Sequence, residues 1–364
     1  MIDLTGSQAS SRTTKTTAPP GRCRHVTQRF CSADELCLPS IRHRNEASAD
    51  SREIPRDAVP RSTRSTTMSR KSLAAVLAVP LALLLSACAS GAAAPADGTA
   101  GAQGPVRIGV VGAGDPYWQT YKDAAAAEGI TVDIVNFDAY DQPNPALSAG
   151  ELDLNQFQHI IYLATYNVKA GDDLVPVGAT AIYPLGLYST KYKSVADIPD
   201  GGTIAIPNDE SNQARALLVL QSAGLISLKD GGSIFSTPAD IQPGSKAKVE
   251  AVAADFTASS LPDFAGAVVN NDFVAKSGLT KDQLLAQDDP SDPAAFPYIN
   301  IFAAKAKDAD NPTYQKLVKI YQETASVQQG VLEASGGSAV LMKTPVADLV
   351  SALKKTEDDI RATQ

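Results

Sequence analysis

Short β-branched runs alternate with stretches of helical period along most of this chain, and that alternation restricts it to folds that mix both elements. "VRIGVV" at 106–111 precedes a helical pattern around 116–128, then "ITVDIVNF" at 130–137, then helix-like text at 144–150 and 159–170. A second set holds "TIAIP" at 203–207, a helix from about Ser211 to Ser222, and strands "KVEAVAA" (248–254) and "AGAVVN" (265–270). "YINIFAAK" (298–305) reads as another strand, and the remainder is mostly helical. Apolar runs of this length, separated by helices, are buried strands of an α/β fold. The two sets are joined through "TAIYPLGLYS" (180–189) and again near Tyr298–Phe302, which predicts two lobes with the chain crossing twice. The expected division is 105–185 for the first lobe, 186–299 for the second, 300–340 for the return and 341–364 for a C-terminal helical tail. A cleft between lobes is a natural ligand site.

The N-terminal part has a different character. Residues 1–67 are rich in Arg, Ser and Thr without a sustained apolar period, and read as a disordered leader or the product of an over-early start. From Met68, "MSRKSLAAVLAVPLALLLSAC" runs from a basic start (Arg70, Lys71) through an apolar stretch, Leu73 to Leu85, to small residues and Cys88. This is the order of a signal peptide at 68–87, too short for an ordinary membrane span. "LSAC" resembles the lipobox of bacterial lipoproteins, which implies a lipidated Cys88 and a mature protein anchored on the extracytoplasmic face of the cell membrane. Residues 88–104, mostly Ala, Gly and Pro, have the composition of a flexible tether.

Residues 1–87 hold 13 Lys and Arg and 7 Asp and Glu, so the rest carries 19 basic against 33 acidic residues, a net charge of −14. Such a surface is a poor match for nucleic acid, which is not expected as a partner. Cys23, Cys31 and Cys37 fall in the leader, so beyond Cys88 there is no disulfide framework and no thiol nucleophile.

After Cys88 the chain has three arginines: Arg107, Arg215 and Arg361. Arg215 follows "PNDESNQA" in the first turns of a helix, where free N–H groups, the positive helix end and a guanidinium fork converge and suit a carboxylate. The alternative is a surface Arg paired with Asp209 or Glu210. His159, the one histidine after Cys88, opens a probable helix carrying Tyr162 and Tyr166. From the residues alone it is a cap, a packed core residue or a ligand contact. No metal site is expected, since no second His and no Cys accompany it. "GVVGAGDP" spaces its glycines as G-x-x-G-x-G and puts Pro and large aromatics next, so it reads as a strand-to-helix turn at the cleft edge rather than a dinucleotide loop. No G-x-S-x-G, Walker loop or zinc spacing occurs, which leaves no catalytic residues and no cofactor to expect.

Five segments stand in register from Val106 to Gly336: "FDAYDQPNPALSAGELDLNQFQH", "VGATAIYPLGLYS", "IAIPNDESNQARALLVLQSAGLISLKDG", "AVVNNDF" and "PYINI". In this the chain resembles the NlpA-type methionine-binding lipoproteins of ABC importers. The resemblance implies a type II periplasmic-binding-protein fold that holds L-methionine or a close analogue in the cleft and delivers it to an ABC permease. It implies Arg215 for the ligand carboxylate, and Asn270 and Asn300, with Asn212, for the polar head. Phe157, His159, Tyr162 and Tyr183 would wall the thioether pocket, with Tyr140 beside them. Where relatives usually have a polar residue and Pro after the His, this chain has Ile160 and Ile161, a departure that bears on side-chain selectivity. The rival functions are a Met-containing dipeptide or other amino acid as ligand, an enzyme on the same fold, or an adhesin. An adhesin would leave the cluster around Arg215 unexplained.

Overall fold

The computed structural model describes residues 104–363; the leader, the signal peptide, Cys88 and the tether up to residue 103 lie outside the described residues. The first apolar run forms β1 (Val106–Val111), followed by α1 (Tyr117–Ala127) and β2 (Val132–Phe137), which pairs with β1 in parallel. Helix α2 (Pro143–Ala149) starts on a proline, whose fixed φ suits the first helical position, and stops at Gly150, whose φ of 83° favours glycine. Then come β3 (Leu154–His159), α3 (Ile160–Ala170) and β4 (Leu174–Ala179). The two-residue β5 (Ala181–Ile182) leads into β6 (Gly186–Tyr188), β7 (Thr203–Pro207) and α4 (Glu210–Ser222). These are followed by β8 (Lys248–Val252), β9 (Gly266–Val269), the single turn α5 (Asn271–Val274) and β10 (Leu284–Gln287). The chain ends in β11 (Asn300–Lys305), α6 (Pro312–Glu323), α7 (Ala325–Ala334), β12 (Val340–Leu341) and α8 (Val346–Thr363).

Ten of the strands build two five-stranded sheets, in the orders β2-β1-β3-β11-β4 and β10-β6-β9-β7-β8, and β12 pairs antiparallel with β5 in a separate two-stranded sheet. The fold is therefore a two-lobed α/β architecture, as the alternation of periods implied. The chain leaves the first sheet after β4 and re-enters it with β11, which runs antiparallel between β3 and β4. Around the first sheet lie two apolar clusters. One gathers Trp118, Tyr121, Phe302, Leu317 and Tyr321 under α1 and α6, and the other gathers Leu163, Ile301, Leu349 and Leu353. Helix α8 thus packs its apolar face into the first lobe. A third cluster, with Ile204, Ile206, Leu217 and Leu220, fills the second lobe, while a fourth joins Val111, Tyr140 and Phe157 to Ala205, Val269 and Phe273 across the cleft.

One strand escapes the apolar pattern altogether. The sequence reading starts a helix at 159, as α3 does within one residue, but assigns no element to 154–158, yet "LNQFQH" is β3 and all six of its residues are buried. The polar members are satisfied by one another: Asn144 of α2 donates to Gln158 (2.7 Å), and its own Oδ1 accepts from Asn155 (2.8 Å) and Gln158 (2.6 Å). Buried amides are tolerated when their hydrogen bonds are made, so this strand is fixed by complementarity rather than by hydrophobicity.

Candidate functional site

The carboxyl ends of the strands face the cleft, the usual ligand position in open α/β sheets. From the first lobe, β3 ends in Phe157 and His159, and α3 brings Tyr162 one turn later. Tyr140 comes from the loop after β2, and Asn300 opens β11 directly opposite His159 in the ladder. From the second lobe, α4 contributes Asn212 and Arg215, and Asn270 follows β9 as the residue before α5. Tyr183 lies in the segment that crosses between lobes. All of these residues line one cavity, together with Gln158, Pro184, Leu185, Asn271 and Asp272.

Arg215 is only 4 % exposed. Its Nε donates to Asp288 Oδ2 at 2.6 Å and an Nη donates to the Tyr183 carbonyl at 2.8 Å, while the guanidinium carbon lies 4.2 Å from the centre of the Tyr298 ring. The remaining Nη has no partner among the described residues. The Arg is thus neither a surface residue nor paired with Asp209 or Glu210. Asp209 caps α4 by accepting from Asn212 N–H at 2.9 Å, and Glu210 pairs with Lys169 across the cleft at 2.6 Å. Asp288 also accepts from Leu185 N–H at 2.7 Å, so one carboxylate fixes both the guanidinium and the crossing segment.

His159 is the N-cap of α3: its Nδ1 accepts the Tyr162 N–H at 3.1 Å. That bond places the ring hydrogen on Nε2, which faces Asn212 Oδ1 of the second lobe at 3.3 Å. Burial, with the Arg215 charge adding to it, pushes the imidazole pKa down to about 3, so the ring is neutral at physiological pH. Asn212 Oδ1 accepts a second bond, from Asn270 at 2.9 Å. The Asn270 side-chain oxygen is buried and has no donor among the described residues.

Beside this polar end stands an aromatic box. Phe157 and Tyr162 meet edge to face with centroids 5.6 Å apart, and Tyr140 closes on both at 5.9 and 6.1 Å. The Tyr140 hydroxyl reaches across the cleft and donates to Asp272 Oδ2 at 2.8 Å. Burial, with the charge of Asp115, pushes the Asp272 carboxyl up to about 7, although the Tyr140 bond opposes the shift.

The profile of the NlpA lipoprotein family matches residues 106–342. The chain belongs to the NlpA lipoprotein family. Outer membrane lipoprotein 1 of Mannheimia haemolytica is 38% identical over 269 residues, which cover 72% of this chain and 95% of that protein. The D-methionine-binding lipoprotein MetQ of Yersinia pestis is 35% identical over 277 residues, or 74% of this chain and 97% of the other. Among solved structures, a nutrient-binding protein from Burkholderia cenocepacia bound to methionine superposes with a TM-score of 0.60 at 38% identity, covering 65% of this chain and 99% of its own.

Within this NlpA protein the residues picked out by the motifs come together, but not all in the expected manner. Tyr183 offers the cavity its carbonyl, through Arg215, and its ring packs against the aromatic cluster of the first lobe. Ile160 and Ile161 are at most 1% exposed, lie in the α3–α8 core and are not part of the cavity lining. Their apolar character therefore acts on lobe packing, and the expected direct effect on ligand selectivity has no contact to carry it. The residues missed by sequence reasoning are Asp288, Tyr298 and Asp272. Tyr298 and Asp272 lie inside "PYINI" and "AVVNNDF", while Asp288 sits in "QDDPSD", an acidic run with no pattern that distinguishes it from a solvated loop.

Proposed function

We propose that this NlpA protein is a binder and not an enzyme: it captures methionine between its lobes and delivers it to an ABC permease, anchored by lipid at Cys88 on the extracytoplasmic face of the membrane. The observation that carries the reading is that one cavity is lined both by a held guanidinium, Arg215, and by Asn270, whose Oδ1 has no donor among the described residues. An α-amino acid presents a carboxylate and an ammonium on the same carbon, and these two groups satisfy that pair, with Asn212 and Asn300 alongside. The side chain then falls to Phe157, Tyr162, Tyr140 and the neutral ring of His159, faces and edges on which a polarizable thioether packs well. The methionine-bound relative and those named for D-methionine support this ligand over other amino acids.

Calorimetry and thermal unfolding against the amino acids, both methionine enantiomers and Met-containing dipeptides test the proposal. A ligand that binds only the folded chain stabilises it by about 2.7 kcal/mol at a hundred times its Kd. Absence of any shift across the methionine compounds would sink the reading, and a shift with dipeptides alone would reassign the ligand.

A further inference from the structure

One carboxylate stands behind the proposed methionine site without lining it. Asp288 is the first residue after β10, where the chain leaves the second lobe, and it is not part of the cavity wall. It belongs to the run "QDDPSD", whose other two carboxylates are taken up by their own loop. Asp289 accepts from the Ser291 N–H at 2.8 Å and the Ser291 hydroxyl at 2.6 Å, and Asp292 accepts from the Ala294 N–H at 2.8 Å. Asp288 turns inward instead. Its backbone N–H donates to the Leu185 carbonyl at 3.3 Å and its Oδ1 accepts from the Leu185 N–H, so main chain and side chain both anchor it to the first crossing segment. That leaves Oδ2 for Arg215 Nε.

The consequence lies in what is left of the guanidinium. Nε is spent on Asp288, one Nη also reaches the Tyr183 carbonyl, and the Tyr298 ring covers a face. The N–H groups that remain free are all at the Nη end. We propose that Asp288 is the positioning residue for the ligand's carboxylate: by closing the Nε edge it holds the guanidinium so that the carboxylate is met end-on by the Nη atoms. A long side chain that is still mobile loses rotamer freedom when a ligand fixes it, and that cost weakens binding. Here the freedom is already lost on folding, because a charge-assisted bond from a twice-anchored carboxylate holds the plane of the fork. The Arg215 side chain is only 5% exposed, so water does not take over that role once Asp288 is gone.

The inference rests on the proposed methionine reading, and its test keeps the two apart. Calorimetry compares L-methionine with L-methioninol, which retains the ammonium and the thioether but has a neutral hydroxymethyl group in place of the carboxylate. Asp288→Asn keeps the size of the side chain yet has one oxygen where Leu185 and Arg215 each need an acceptor. It should weaken methionine about 10–100-fold, the range found when the outer partner of a metal ligand is lost. Methioninol should lose less than about threefold, as for a change away from its contacts. Asp289→Asn, in the same loop, should alter neither. An equal loss for both ligands overturns the proposal, since a merely structural Asp288 would act on the whole site, and so does an unchanged methionine affinity. Nitrogen-15 NMR of the ligand-free protein reads the positioning itself, as rotation of the Arg215 guanidinium about Nε–Cζ: slow in the wild type and fast in Asp288→Asn. That measurement decides if methioninol binds too weakly to compare. Should the variant fail to fold, the wild-type rotation alone decides. Fast rotation in the wild type, or the same rate in both proteins, overturns the proposal. If methionine gives no heat with the wild type, the methionine reading falls, and the rotation rates still judge Asp288.

Discussion

Arg215 serves the cavity and the scaffold with one side chain, and that double duty governs how it is tested. Arg215→Ala would strip Asp288 and the Tyr183 carbonyl of their donor, mixing lost binding with lost stability. Arg215→Lys keeps the charge without the fork, and is expected to weaken methionine binding by about 1.5–3 kcal/mol. Arg361→Ala, on the exposed side of α8 beside Glu357 and Asp358, should leave it unchanged. Equal calorimetric affinities in the two variants would reduce Arg215 to a strut. His159 makes a second case. Its folded pKa is depressed from 6.5 to about 3, so the unfolded chain takes the proton first. The stability it gives is present above about pH 6.5 and is lost as pH falls toward 3. His159→Asn keeps a capping oxygen and has no such titration. The stability difference between wild type and this variant should shrink by up to ~1.4 kcal/mol per pH unit between 6.5 and 4 in denaturant titrations. A constant difference would mean that the imidazole is solvated.

At the scale of elements, the polar bridge between α2 and β3 carries the strand that presents Phe157 and His159. Asn144→Ala would orphan the amides of Asn155 and Gln158 in a buried place, an expected loss of about 1–3 kcal/mol in unfolding free energy. A change below about 0.5 kcal/mol would show that water or a repacked neighbour replaces the bridge. The same bridge explains what could be read from the sequence. Strands such as 106–111 and 203–207 stand out because their buried faces are aliphatic, and Glu210–Ser222 because its period is helical. β3 does not, since its burial depends on partners eleven to fourteen residues away. The cavity was legible through linked motifs, as every residue drawn from them lines it. Asp288 was not, because its importance comes from a partner 73 residues away along the chain.

For the whole molecule, lobes and anchor must work together if the protein is to serve a permease at a membrane. Cys88→Ser should release the protein from the membrane fraction, and intact mass of the wild type should show a lipidated N-terminal Cys; recovery of peptides from 1–67 in the membrane-bound form would contradict it. The place of β11 has a consequence before any ligand arrives. β3 and β4 have no contact in the sheet except through a strand that begins at Asn300, so the first lobe waits for the second to be made. Non-local pairing of this kind is slow. A chain threaded outward from its N-terminus through an export channel would therefore reach the far side still pliable, with its first sheet incomplete until residue 305 has emerged. A fragment ending at residue 299 should accordingly show no cooperative unfolding of the first lobe, and a sharp transition in it would refute this order of assembly.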